Sequence, residues 1–333
     1  MRSLRRLFTF FLLGLAVLAG YAAWYALTPI EVRALPAEFE IPSGSGLRTA
    51  IRHLEAAGIE PGRRRFELLA RATGRSGAIK AGNYELTAPT TPLGLLDRIT
   101  RGLVTQAEIT LLEGWTFAQV RAALDASPHL KHDSSGLEVA ALLKRVGVTE
   151  AHPEGLFFPD TYLFARGSSD LAVLRRAYHA MQRHLAEEWS GRAPDLPVST
   201  PYDALILASI VEKETGRASD RDQIAGVLVN RLRIGMALQT DPTVIYGLGE
   251  AFDGNLKRAH LSADNPYNTY TRRGLPPTPI AMPGLASLRA ALRPAPTKAL
   301  YFVSRGDGTT QFSSSLEEHN RAVSRFQIAP ARK

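Results

Sequence analysis

Residues 207–220 read LASIVEKETGRASD, an apolar run that ends in two glutamates, Glu212 and Glu214, two positions apart. On a helix each residue turns about 100°. With Glu214 set at zero, Leu207 falls at about 20°, Ile210 at about −40° and Val211 at about 60°. Glu214 therefore projects from the middle of the apolar stripe. Glu212, roughly 160° away beside Ala208 and Ser209, is predicted to face solvent. A carboxyl in an apolar wall loses the hydration of its ionised form, so its pKa rises, and a Glu protonated near neutral pH suits a general acid. Two plainer roles stand beside that one: Glu214 pairs with a buried arginine, or the helix ends before it with Gly216 as the cap.

The surrounding chain has 333 residues, enough for two or three units, and a net charge of +8 spread without blocks of like sign. It contains no cysteine, which excludes disulfides, thiolate metal sites, a cysteine nucleophile and a lipid-modified N-terminal cysteine. No zinc-ligand set, RNP-like aromatic motif or glycine-rich phosphate loop accompanies the basic balance, which argues against nucleic acid as a partner. The N-terminus carries Arg2, Arg5 and Arg6 and then an uncharged stretch, Leu7 to Leu27, of about 21 residues, roughly a bilayer span. Tyr21, Trp24 and Tyr25 sit where an interfacial aromatic belt belongs. The arginines predict a cytoplasmic N-terminus (residues 1–6), a retained anchor (7–27) and an exported remainder. A cleaved signal peptide is the plainer alternative, with a poor small-residue site at Gly20-Tyr21-Ala22.

Beyond the anchor the periodicity predicts an α+β protein. A strand, a Gly/Ser turn, an amphipathic helix striped by Leu47, Ile51 and Leu54, a second helix and the strand in AGNYELT outline a LysM-like βααβ module over 38–104. Such a unit binds glycan or serves as a spacer. Residues 105–150 repeat the strand, glycine turn and helix as a linking segment. Residues 151–328 open on the irregular EGLFFPDTYLF, continue in long helices up to about Gly249, and close with a hairpin through Gly306-Asp307-Gly308 and a helix from near Ser315. Ser219 with Asp222 is a capping-box-like helix start, and Asp241 followed by Pro242 reads as an N-cap and first-position pair. Gln239 and Thr240 lead into that helix. Asn265, Tyr267, Asn268, Thr269 and Tyr270 crowd into six positions, suited either to stacking and hydrogen-bonding sugars or to tying down a loop.

Taken together, EGLFFPDTYLF, LASIVEKETG, VNRLRIGMALQTDPTVIYGLG, NPYNTYTRRGLPPTPIAMPG and ALYFVSRGDGTTQFSSSLEEHN resemble the YceG-like family of endolytic murein transglycosylases. The resemblance implies a single-pass protein of the bacterial inner (cytoplasmic) membrane. Its periplasmic part would hold the LysM-like module and a mainly helical, lytic transglycosylase-type catalytic domain with a small β element. It also implies Glu214 as the single acid/base, and Glu214 followed by Thr215 is similar to the Glu-Ser pair of other lytic transglycosylases. Gln239, Thr240, Asp241, Tyr246, Tyr267, Asn268 and Tyr270 are the candidates for holding peptidoglycan strands. The implied reaction needs no metal or organic cofactor, and the implied protein partners are peptidoglycan synthases (penicillin-binding proteins). Two rivals remain: a hydrolytic muramidase, with Asp241 or Asp264 as its second carboxylate, and a non-catalytic anchored wall-binding protein.

Overall fold

The computed structural model describes residues 2–214 and 216–328, with side chains from residue 5 onward. The fold is mixed α+β, and it divides into two compact units. Unit 1 takes the chain up to Glu108 together with His129–Lys131 and Leu163–Ser168. Unit 2 takes Ile109–Pro128, His132–Tyr162 and the chain from Ser169 onward. Most of residues 105–150, read from the sequence as a separate link, therefore falls within unit 2.

Unit 1 begins with helix α1 (Arg2–Leu27), whose stretch Arg5–Leu27 is long and apolar enough to cross a membrane and is exposed from Arg5 to Trp24. Strand β1 (Glu31–Val32) follows, then β2 (Ala37–Ile41), α2 (Leu47–Ala56), β3 (Ile59–Glu60), α3 (Arg63–Ala72), β4 (Gly82–Leu86) and α4 (Pro92–Arg101). β1 pairs antiparallel with β3, and β2 with β4 in the register Ala37↔Leu86 to Ile41↔Gly82. Alternation in β2 sends Ala37, Phe39 and Ile41 inward. Phe39 stacks on its register partner Tyr84 at 5.2 Å between ring centroids. The α2 stripe of Leu47, Ile51 and Leu54 packs beneath them with Phe66, Leu95, Leu96 and Ile99. Helix α4 starts where Thr91 Oγ1 accepts from the Gly94 N–H and Pro92 opens the first turn. Tyr25 departs from the expected aromatic belt: it is buried in unit 1, and its hydroxyl donates to the Pro61 carbonyl at 2.5 Å.

The chain continues through β5 (Gln106–Thr110), α5 (Phe117–Ala126), β6 (Leu130–Lys131), α6 (Val139–Val146), β7 (Thr161–Ala165), β8 (Ser168–Ser169) and α7 (Asp170–Ser190). β5 pairs with β7 and β6 with β8. The helices α8 (Pro201–Glu214), α9 (Ala218–Arg233), α10 (Asp241–Leu248), α11 (Arg258–Ser262) and α12 (Leu285–Leu292) complete the helical part of unit 2. The hairpin β9 (Tyr301–Ser304) and β10 (Thr310–Ser313) then turns through Gly306 and Gly308, both at positive φ, before α13 (Leu316–Val323). A π-helical turn, Ser324–Ile328, ends the described chain. Two helix starts lie a residue or two from where the sequence put them. α9 is preceded by Arg217, with Ser219 already in its first turn, and Thr240 rather than Asp241 is the N-cap of α10.

Helix α8 is the centre of unit 2. Every residue from Ala204 to Val211 is buried, because α7, α9, α10 and α12 all pack on it. The expectation of a solvent face beside Ala208 and Ser209 is therefore wrong. Ser209 is fully buried, its hydroxyl donating to the Ile206 carbonyl and accepting from the Ile280 N–H. Glu212 points into protein as well: its Oε2 accepts from the buried Gly284 N–H at 2.9 Å. Lys213 Nζ donates to the Gly114 carbonyl at 3.2 Å. These two contacts clamp the last turn of α8, so the helix stays wound through Glu214.

Glu212→Ala leaves the Gly284 N–H buried and unpaired, and is expected to cost about 1–3 kcal/mol in denaturant unfolding. Glu212→Gln keeps an acceptor oxygen at the same place and retains most of that stability.

Candidate active site

Glu214 is the final residue of α8 and keeps only part of its surface in contact with solvent. Burial, with a smaller contribution from the Asp241 charge, pushes its pKa up to about 7 against the opposing Arg231 guanidinium. Among the described residues no hydrogen bond contributes to that balance. The buried arginine imagined as a partner exists, but its Nε and Nη1 donors go to backbone carbonyls. Arg231 Nε donates to the Leu300 carbonyl at 2.6 Å and Nη1 to the Leu238 carbonyl at 2.6 Å. It tempers the field at Glu214 while holding the loop before α10 in place. Thr215 lies outside the described residues.

Around Glu214 the start of α10 and the loop 264–271 come together. Asp241, exposed in the first turn of α10, accepts the Tyr270 hydroxyl at 2.6 Å. Burial and that carboxylate drive the Tyr270 phenol well above the ordinary tyrosine range, so Tyr270 is a donor and not a base. A threonine knot locks loop to helix. Thr269 Oγ1 accepts from the Thr240 N–H at 3.0 Å and lies 2.8 Å from Thr243 Oγ1, while the Gln239 N–H donates to the Thr269 carbonyl. Gln239 itself adopts φ 51°, a left-handed conformation uncommon for a residue with a Cβ, and its side chain is exposed at the edge of the knot.

The sequence-derived set thus separates into two groups. Gln239, Asp241, Tyr246, Tyr267 and Tyr270 keep surface for a ligand. Thr240 and Asn268 do not, which corrects their assignment as sugar contacts. Thr240 is buried with its hydroxyl inside the threonine knot. Asn268 is fully buried; its amide donates to the carbonyls of His260, Leu261 and Ala263, and its Oδ1 accepts from the Tyr270 N–H. Asn268 is the staple that folds the loop, the plainer of the two roles the composition allowed. Asp264 is committed to Arg272 through both carboxylate oxygens at 2.9 Å, leaving Asp241 as the acid beside Glu214.

A second buried acid escaped the sequence reading. Glu154, in the quoted EGLFFPDTYLF stretch, accepts from the Phe117 N–H at 2.9 Å and from the Tyr246 hydroxyl at 3.0 Å. Burial raises its pKa to about 7 against these bonds. Tyr246 packs edge-on against Tyr267 at 4.9 Å, and Tyr267 shares a hydrogen bond with Thr278. Both phenols are therefore engaged, and the two rings are what remain to offer a ligand. Among the described residues, one group has metal-ligand spacing: Asp125, His132 and Asp170, with ligand atoms within 4.8 Å of one another. Asp170 already accepts from the Ser134 hydroxyl and from the Ser134 and Leu171 N–H groups, and as the first residue of α7 it places its carboxylate at the positive end of that helix.

Comparison with known proteins bears on the same residues. The model of the YceG-like family matches residues 39–325. The endolytic murein transglycosylase of Bacillus subtilis is 32% identical over 303 residues, spanning 86% of this chain and 83% of the relative. The endolytic murein transglycosylase of Streptococcus pneumoniae (strain D39) is 27% identical over 355 aligned positions, 94% of this chain and 64% of that longer protein. A crystal structure of a YceG-like protein from Listeria monocytogenes superposes with a TM-score of 0.54 at 31% identity, covering 85% of this chain and 97% of that one.

The raised pKa of Glu154 has a consequence for stability. From about 4.5, its ordinary value, to about 7 the unfolded chain ionises this carboxyl while the fold holds it protonated. The fold therefore loses stability as pH rises through that window. Glu154→Gln removes this contribution, and its unfolding midpoint should fall less between pH 5 and pH 8 than that of the wild type.

Proposed function

This chain belongs to the YceG-like family, and from that premise we propose that it is an endolytic murein transglycosylase with Glu214 as its one acid/base. It is a lyase acting on peptidoglycan: it cuts the bond between MurNAc C1 and the next GlcNAc inside a strand and leaves a 1,6-anhydroMurNAc end. The observation that carries the role of Glu214 is its position: a carboxyl with a pKa of about 7, at the end of a helix buried all round, beside the Asp241–Tyr270 pair.

In the first half of the reaction, protonated Glu214 gives its proton to the glycosidic oxygen as the C1–O bond breaks. In the second half, the Glu214 carboxylate takes the proton of the MurNAc 6-hydroxyl as that oxygen bonds to C1. The acid is regenerated and no water is consumed. Positive charge at C1 is offset by the substrate's acetamido group and by the negative field of Asp241. Tyr246 and Tyr267 offer ring faces to the sugars, while Gln239 and Tyr270 flank the acid. The βααβ unit over β2 to β4 is read as LysM-like and unit 2 as the lytic transglycosylase-type domain. The apolar helix α1 supports a single-pass anchor with an exported remainder, on the side where nascent strands are made and where peptidoglycan synthases would be its partners. Cleavage there helps to end glycan elongation. The proximity of Asp241 to Glu214 is what a hydrolytic muramidase would exploit, and product mass separates the two reactions.

Digestion of uncrosslinked glycan is expected to yield ends lighter by one water than hydrolytic ends, and Glu214→Gln should abolish them while leaving the fold intact. Ends carrying the added water would instead identify a hydrolase. Because the acid must be protonated to act, kcat/KM should fall as pH rises through about 7. Asp241→Asn removes a charge that raises the Glu214 pKa, so it should move that alkaline limb to lower pH.

A further inference from the structure

Helix α1 is not joined to unit 1 by a free tether. Its last turn is built into the unit: Tyr25 and Ala26 are buried, and the Tyr25 hydroxyl is held by the Pro61 carbonyl. Only Thr28–Ile30 separate the helix from β1, and the Ile30 N–H is already bonded to the Thr90 carbonyl. Where the apolar span ends, the packed core of unit 1 begins.

That continuity fixes what stands at the membrane surface. Trp24 and Leu27, both more than half exposed, mark the end of the apolar stretch. The Arg65 guanidinium lies 5.1 Å from the centre of the Tyr25 ring, so it stands within about one helical turn of that boundary. The polar headgroup layer on each side of a bilayer is of that thickness, roughly 5–7 Å. Arg64 and Arg65 are exposed, and among the described residues neither forms an ion pair, whereas Arg63 is taken by Glu55 and Arg33 by Glu60. Leu68, one turn beyond Arg64, is 63% exposed on the same helix. A cleft of about 390 Å³ opens at this point between Trp24, Tyr25, Gly62 and Arg65; Glu31 and Glu60 also line it, Glu60 being paired with Arg33. Gly62 precedes α3 without a side-chain cap, leaving the first N–H groups of that helix beside the arginines.

We propose that the start of α3, with Arg64, Arg65 and Leu68, is a docking face for the phosphate headgroups of anionic phospholipids in the membrane that α1 spans. The guanidinium groups bind the phosphates, Leu68 enters the acyl boundary, and unit 1 is held against the surface. The proposal rests on α1 being a membrane anchor.

The chain has no cysteine, so a Leu68→Cys variant of the full-length protein carries a single fluorophore. In proteoliposomes, quenching of that label by headgroup spin-labelled lipid is expected to rise about twofold when phosphatidylglycerol joins phosphatidylcholine. Adding Arg64→Gln and Arg65→Gln should return it to the phosphatidylcholine level, with the unfolding midpoint unchanged. Equal quenching in the two vesicle types, or quenching indifferent to the arginines, overturns the proposal. So does reversal by inorganic phosphate, which would mark a free-ion site. Extraction of the protein by alkaline carbonate would instead remove the anchor itself, and the docking face with it.

Discussion

An ionisable group at the end of a helix that has no solvent face is held in a constrained position. Eight consecutive buried residues of α8 commit four neighbouring helices to pack around it. The helix ends where water first becomes reachable, and Glu214 stands at that point. Its carboxyl is desolvated by the same packing that stabilises unit 2, so the raised pKa is a by-product of the core. An acid desolvated this way requires no dedicated partner, only neighbours that do not neutralise it. Arg231 illustrates the condition: it is close enough to oppose the shift, yet its Nε and Nη1 donors go to backbone carbonyls.

The two glutamates of the EKE triplet divide the work. Glu212 and Lys213 clamp the helix end to the Gly284 and Gly114 backbones, which keeps Glu214 on a wound, rigid turn. The loop opposite is equally over-determined, with the Asn268 amide serving three carbonyls and the threonine knot fastening it to α10. Polar groups that could have met a sugar are thus consumed in the frame, and the exposed ones stand on it. That is the arrangement expected where positional accuracy matters more than the number of contacts.

Unit 1 shows the same economy. Its core is closed by a short antiparallel pair and three helices, and the last turn of α1 is one of its parts.

Much of this was legible in the primary structure. The hydrophobic stripe of Leu47, Ile51 and Leu54 marked α2, the Gly306-Asp307-Gly308 turn marked the terminal hairpin, the long uncharged run marked α1, and the position of Glu214 on its stripe singled it out. Arg231 left a signal too, since it falls four residues after Val227 and seven after Ile224 on the buried stripe of α9. Helical spacing reports only how one element alternates, however, and α8 does not alternate. Its second face is covered by α12 and the 280–284 segment, more than 70 residues on, so Glu212 was misread as solvated. Glu154 was invisible for the same reason, because its partners Phe117 and Tyr246 are 37 and 92 residues away. Local pattern determined which elements form and which acid is out of place. Long-range packing decided which polar groups are consumed and which stay free, because desolvation and hydrogen-bond satisfaction depend on neighbours that only the closed fold supplies.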